Sequence, residues 1–174
     1  MSIKPTKLEI ARDLLKNSIF EKDRKTQSLI YKAQERINYR TIKSRLNLPA
    51  TANSAVDGYG ILHQTFLHNP ETEFEIAGIA KAGHPYKKKI LSHQAIEIYT
   101  GAIMPEGVDT IVMHEKCKRL NNKVIINEKI KKNQNMRPIG ENLSKGEVVV
   151  KKGKLINAAD IGQLAASGNN KIDI

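Results

Sequence analysis

Four short runs of β-branched and apolar residues crowd the middle of this 174-residue chain: FEIAGIA from Phe74, AIEIYT from Ala95, DTIVMHE from Asp109 and KVIIN from Lys123. Strands this short, at this spacing, restrict the segment between them to a compact sandwich or barrel. The runs on either side of Leu120-Asn121-Asn122 read as a hairpin, because Asn tolerates the left-handed backbone of a tight turn. Just ahead, LNLPATANSAVDGYGI from Leu46 gathers Pro49, Asn53, Ser54, Asp57, Gly58 and Gly60, all turn formers. That stretch reads as a loop with a purpose or as a domain junction.

Helical periodicity is confined to the flanks. Thr6 and Glu9 have the spacing of a capping box, and Leu8, Ala11, Leu14, Leu15 and Ile19 then fall on one helical face. Residues 26–42 predict a second helix with an apolar stripe of Leu29, Ile30, Ala33 and Ile37, although β-branched and aromatic residues near its end weaken it. Beyond Met136, Gly140, Gly146 and Gly153 punctuate short strands. A last helix follows, with Asn157 as N-cap, Asp160 near the positive end of its dipole and Gly168 as its stop. The KIDI that remains reads as a lone strand of the kind a truncated multidomain protein would leave.

Composition narrows the function classes. The net charge of +11 is carried mostly by Lys, 22 against 7 Arg, scattered through every segment. Dispersed Lys reads as a solvated surface, and no aromatic platforms interleave with it, so nucleic acid is not an expected partner. With aromatic residues at 5% and no Trp, the core rests on Ile, Leu, Val and Ala, burying roughly 25 cal/mol per Å² of apolar surface. Cys117 is the only cysteine, which rules out an intrachain disulfide and a Cys-based metal site and fits a reducing cytosol. The first 20 residues carry charges throughout, and no apolar run approaches the length of a membrane span. A soluble, cytoplasmic protein is expected.

Three segments carry groups suited to chemistry. In SAVDGYG a carboxylate, Asp57, stands beside glycine in a tight turn, with the hydroxyls of Ser54 and Tyr59 nearby. Such a turn can present an acid to a ligand or metal, and it is equally a common Asp-Gly β-turn. In YTGAIMPEGVDTIVMHE, Thr100 and the amides around Gly101 form either an oxyanion cradle or a plain connection between strands, and Glu115 is either a metal-facing carboxylate or, as the preferred reading, a strand-end charge. In NMRPIGEN, Arg137 offers a rigid fork for phosphate or carboxylate, with Gly140 and Glu141 close behind. The five histidines show no zinc-type spacing, and no phosphate-loop or dinucleotide fingerprint is present.

In order along the chain, LPATANSAVDGYGI, AGHPY at Ala82 to Tyr86, YTGAIMPEGVDTIVMHE, MRPIGENLSKGEVV and GKLINAADIGQLAASG resemble the molybdopterin molybdenumtransferase family, MoeA in bacteria and the gephyrin E domain in animals. The blocks run from Leu48 to Gly168, and five in sequence are far more specific than any one. The resemblance implies an α+β fold in which an elongated helix-plus-strand first domain, residues 1–47 and 134–174, carries an inserted β-rich second domain, residues 48–133. The family's third, pterin-binding domain and its fourth have no counterpart in this sequence.

For function, the resemblance implies insertion of molybdate into adenylylated molybdopterin, with Mg²⁺ as cofactor and AMP as product. It also implies a homodimer, with a third-domain protein or a molybdopterin adenylyltransferase as further partner, and no membrane. Asp57 matches the acid of the family's DGY motif and Thr100 the threonine of its TGA turn, the expected catalytic pair. Ser54, Gly101, Arg137, Gly140 and Glu141 match motif positions expected to bind substrate or oxyanion. Three departures stand out. The usual SAMDGYA is SAVDGYG, placing Val56 and Gly60. The usual GED is GEN, so Asn142 replaces a carboxylate, and an amide oxygen is a weaker ligand for Mg²⁺. The third is the missing pterin domain, which leaves a catalytically silent dimerisation or interaction module as the alternative reading.

Overall fold

A computed structural model describes residues 7–18, 25–69 and 72–174. Helix α1 (Leu8–Ser18) is present as its periodicity predicts, but none of its residues is buried; Thr6 and Ile19 lie outside the described residues. The predicted second helix is replaced by β1 (Gln27–Leu29), a single 3-10 turn (Ile30–Lys32) and an irregular stretch leading to β2 (Ile42–Lys43). The backbone donors here find partners in distant loops instead of in a helix: the Glu35 amide donates to the Ile156 carbonyl and the Asn38 amide to Lys154. Glu35 sits at a φ of 60°, which no helix accommodates. Of the predicted stripe, Ala33 is fully buried and Ile30 packs against the same core, whereas Ile37 is exposed.

Next come β3 (Asn53–Ser54), β4 (Gly58–Ile61), a short helix α2 (His63–His68), β5 (Glu73–Ala80), β6 (Gln94–Ile98), β7 (Thr110–Met113), β8 (Cys117–Leu120) and β9 (Lys123–Ile126). Six of these strands form one sheet in the order β7-β4-β6-β5-β9-β8. The two edges, β7 and β8, are joined by one 3-10 turn, His114–Lys116. Five strand spacings of about 4.8 Å would set the edges roughly 24 Å apart in a flat sheet, yet the links from Met113 to Cys117 reach at most about 14 Å. The sheet therefore curls into a half-barrel. Side-chain alternation sends Tyr59, Ala95 and Val112 into one core and Ile96, Ile98 and Ile111 into another on the opposite face, so the central strands are buried on both sides.

The loop expected around SAVDGYGI is half strand: β4 is entirely buried, paired with both β6 and β7. Glycine makes this possible, because a Cβ on Gly58 would lie 2.0 Å from the Val112 carbonyl oxygen. The hairpin forms as predicted, β8 pairing β9 with Asn121 at a φ of 53°.

The chain closes with β10 (Met136–Arg137), β11 (Val148–Val150), α3 (Ala158–Ala166) and β12 (Lys171–Asp173). Helix α3 has a full capping box: the Asn157 side chain accepts from the Asp160 amide at 2.9 Å and the Asp160 carboxylate from the Asn157 amide at 3.0 Å. Gly168, at a φ of 78°, ends it. The final strand is not alone, for β12 pairs antiparallel with β1. Ala33, Ile42, Val150, Ile156, Leu164 and Ile172 pack there as a third core. Strand β10 pairs with β3, bringing Arg137 opposite Asn53. No helix among the described residues is long and apolar enough to cross a membrane.

Candidate functional site

Register brings the site together. Gly58 opens β4 opposite Ile98 near the end of β6 and opposite Met113 at the end of β7. The antiparallel pairings place the residue before β4, Asp57, at the same end of the sheet as the residues that follow β6 and β7. These are Tyr99, Thr100 and Gly101 on one side and His114 on the other.

Asp57 and Thr100, 43 positions apart, meet directly. The carboxylate oxygen Oδ1 accepts from the Thr100 backbone amide at 2.8 Å and from its hydroxyl Oγ1 at 2.8 Å. These two bonds, the amide first, hold the Asp57 carboxyl below its ordinary range; the charge of His114 adds to them and partial desolvation opposes them. Asp57 is solvent-exposed and ionised at neutral pH. A carboxylate so held is a fixed negative charge and hydrogen-bond acceptor, and a poor proton donor. Oδ2 has no partner among the described residues.

The turn itself differs from an oxyanion cradle. Its amides are already engaged: Thr100 donates to Asp57, Gly101 to the Ser54 carbonyl at 2.9 Å and Ala102 to the Tyr99 carbonyl at 2.9 Å. Gly101, at a φ of 80°, makes the turn and does not point its amide at a ligand. Ser54 is also turned inward; it is 1% exposed and its hydroxyl donates to the Val56 carbonyl. Both brace the loop that carries Asp57.

Arg137, Gly140 and Glu141 form a second small cluster. The Arg137 Nε donates to Glu141 Oε2 at 2.7 Å and its Nη2 to Asn142 Oδ1 at 3.0 Å. Asn142 thus keeps a bond to the arginine without the charge of an aspartate. Gly140, at a φ of 74°, donates its amide to the Pro49 carbonyl. The cluster is linked to the Asp57 loop through β3 and β10, and through the Ala55 amide bonded to Asn135 O at 2.9 Å.

Behind Asp57 lies a polar network that no motif announced. The Tyr99 hydroxyl donates to Glu97 Oε1 at 2.8 Å, and Arg119 Nη1 donates to Glu97 Oε2 at 3.0 Å. Glu97 is 8% exposed, a buried carboxylate matched by a charged donor. The bond to Glu97 raises the Tyr99 phenol. The one legible signal was alternation: Tyr59 and Glu97 face each other across β4 and β6. Among the described residues no three His, Cys, Asp or Glu side chains converge as a metal site.

Known relatives share this fold. The family model described as MoeA N-terminal region (domain I and II) matches residues 6–168, and the chain belongs to that family. It is 34% identical over 142 residues to a molybdopterin molybdenumtransferase of Nostoc sp., covering 79% of this chain and 32% of that protein. It is also 34% identical to the molybdopterin molybdenumtransferase of Haemophilus influenzae over 140 residues, 80% of this chain and 34% of that one. A crystal structure of a molybdopterin biosynthesis MoeA protein from Pyrococcus horikoshii superposes with a TM-score of 0.88 at 25% identity, covering 98% of this chain and 44% of that chain. The chain spans about a third of the length of these transferases.

Proposed function

We propose that this chain supplies the first two domains, residues 1–47 with 134–174 and residues 48–133, of a cytoplasmic, homodimeric molybdopterin molybdenumtransferase. In this reading it serves molybdenum cofactor biosynthesis, in which molybdate enters adenylylated molybdopterin and AMP leaves. The observation that carries the reading is the doubly bonded Asp57–Thr100 contact, which unites the DGY and TGA motifs at one end of the sheet. Asp57 would stand as a fixed acceptor in a cleft completed by a pterin-binding domain, orienting water or a ligand hydroxyl. Thr100, its proton committed to Asp57, would contribute lone pairs only. Ser54 and Gly101 would hold the loop, and Arg137 with Glu141 would set the edge of the cleft.

Among the described residues no three acidic or imidazole side chains converge into a cation cage, so Mg²⁺ bound at this site would rest on one or two carboxylates together with substrate phosphates. No step is assigned to the ion and no residue to its coordination. A separately produced third-domain protein, mixed with this chain, adenylylated molybdopterin, molybdate and Mg²⁺, tests the proposal. Cofactor should form only in the mixture, and Asp57→Ala should lower the rate by roughly 100-fold or more. Equal rates for the two chains would overturn the assignment of Asp57.

A further inference from the structure

Strand β6 buries a carboxylate among apolar residues. Glu97 is 8% exposed, while Ala95, Ile96 and Ile98 on the same strand are fully buried. An aliphatic side chain would pack there without desolvating a charge, and a buried ion pair by itself adds little stability. Both carboxylate oxygens are committed: Oε1 accepts from the Tyr99 hydroxyl at 2.8 Å and Oε2 from Arg119 Nη1 at 3.0 Å. In the sheet β5 and β9 lie between β6 and β8, so the Arg119 bond crosses the inside of the curl. Arg119 is anchored in turn, its Nε donating to the Asn121 carbonyl of the hairpin at 3.2 Å. A line of bonds thus runs from the β8–β9 turn to the phenol of Tyr99.

Tyr99 carries that line to the site. The peptide joining it to Thr100 is held at both ends: its carbonyl accepts from the Ala102 amide at 2.9 Å, and its N–H donates to Asp57 Oδ1 at 2.8 Å. The Tyr99 amide donates to the Ala80 carbonyl at 3.1 Å. Backbone bonds at the end of a ladder and in an exposed turn open most readily. The phenol bond is what ties this turn to a buried group. We propose that Glu97 is a positioning residue for the candidate site: through the Tyr99 hydroxyl it fixes the Tyr99–Thr100 peptide, and with it the two Thr100 donors that hold Asp57. This role rests on the proposed function, in which Asp57 faces the ligand. Arg119 completes the brace, since its bond to the second oxygen keeps the carboxylate turned toward the phenol. Neither Glu97 nor Arg119 hydrogen-bonds Asp57; both act by way of Tyr99 and Thr100.

The test uses this chain alone, with amide hydrogen exchange and carbon-detected NMR titration of the Asp57 carboxyl. Tyr99→Phe removes one hydroxyl, keeps the ring and changes no charge at neutral pH. In this variant the Thr100 amide should exchange roughly 2- to 10-fold faster, the fold-change of one net hydrogen bond. The amides of α3, which belong to a separate core, should be unchanged. The Asp57 midpoint should move upward, because the Thr100 bonds that depress it are loosened. Glu97→Leu should speed Thr100 exchange as much, and Glu97→Gln, whose amide oxygen still accepts from the phenol, should restore most of the protection. An unchanged Asp57 midpoint in folded Tyr99→Phe overturns the proposal, whatever happens to overall stability. In the unaltered chain the Thr100 amide should be protected along with that of Tyr99; a Thr100 amide without protection overturns the proposal even if every variant fails to fold. Neither readout needs substrate or a third domain, so a failed reconstitution counts against the proposed function and not against the brace.

Discussion

At the scale of single residues, the site is a matter of which hydrogen-bond donors remain free. Asp57 and Thr100 were legible as candidates because their motifs combine an acid, a hydroxyl and glycines, but their contact was not, since nothing local to either motif reports a partner 43 positions away. Ser54 and Gly101 show the converse: the right groups in the right motif, with their donors engaged inside the loop. Thr100→Val removes one of the two bonds to Asp57 and should raise its carboxyl midpoint, while Thr100→Ser should leave it nearly unchanged; NMR titration of the carboxyl measures both. A carboxyl depressed on folding contributes stability that is present above its unfolded value and lost as pH falls through the folded one. Thr100→Val should therefore melt below the unaltered chain at pH 7, with the gap closing as pH falls through the Asp57 titration.

At the scale of elements, turn chemistry and caps were readable and tertiary pairing was not. The hairpin at Asn121 and the box at Asn157 and Asp160 depend on residues within a few positions of each other. Residues 26–42 have a helix-like stripe, yet their backbone pairs with β12 and the 154–156 loop, contacts that lie over a hundred positions off. Asn157→Ala should cost about 1 kcal/mol in urea unfolding, the usual worth of an N-cap. Gly60 is another element-scale case. A Cβ there would meet Val108 Cγ1 at 2.7 Å and Ile96 Cγ2 at 3.0 Å, so glycine at this position and valine at 108 are complementary. Gly60→Ala should destabilise by about 1–3 kcal/mol through overpacking, and adding Val108→Ala should recover a good part of it. Additive losses in the double variant would refute that coupling.

At the scale of the whole molecule, the curled sheet explains why the site lies where it does. Closing the half-barrel requires the direct β7–β8 link, and that link is the turn carrying His114, beside the Asp57 and Thr100 loops. The strand pattern announced a sandwich or barrel; the buried β4 depended on glycines whose neighbours only the fold supplies. The chain spans about a third of the length of the transferases it resembles, and in the proposed function its site is one wall of a cleft. The direct test is molybdenum cofactor formation by this chain with and without a third-domain protein, in parallel with Asp57→Ala. Turnover in the mixture alone, lost with Asp57→Ala, is the predicted result; silence in the mixture, with both proteins folded, would contradict the claim that this chain carries half of the reaction site.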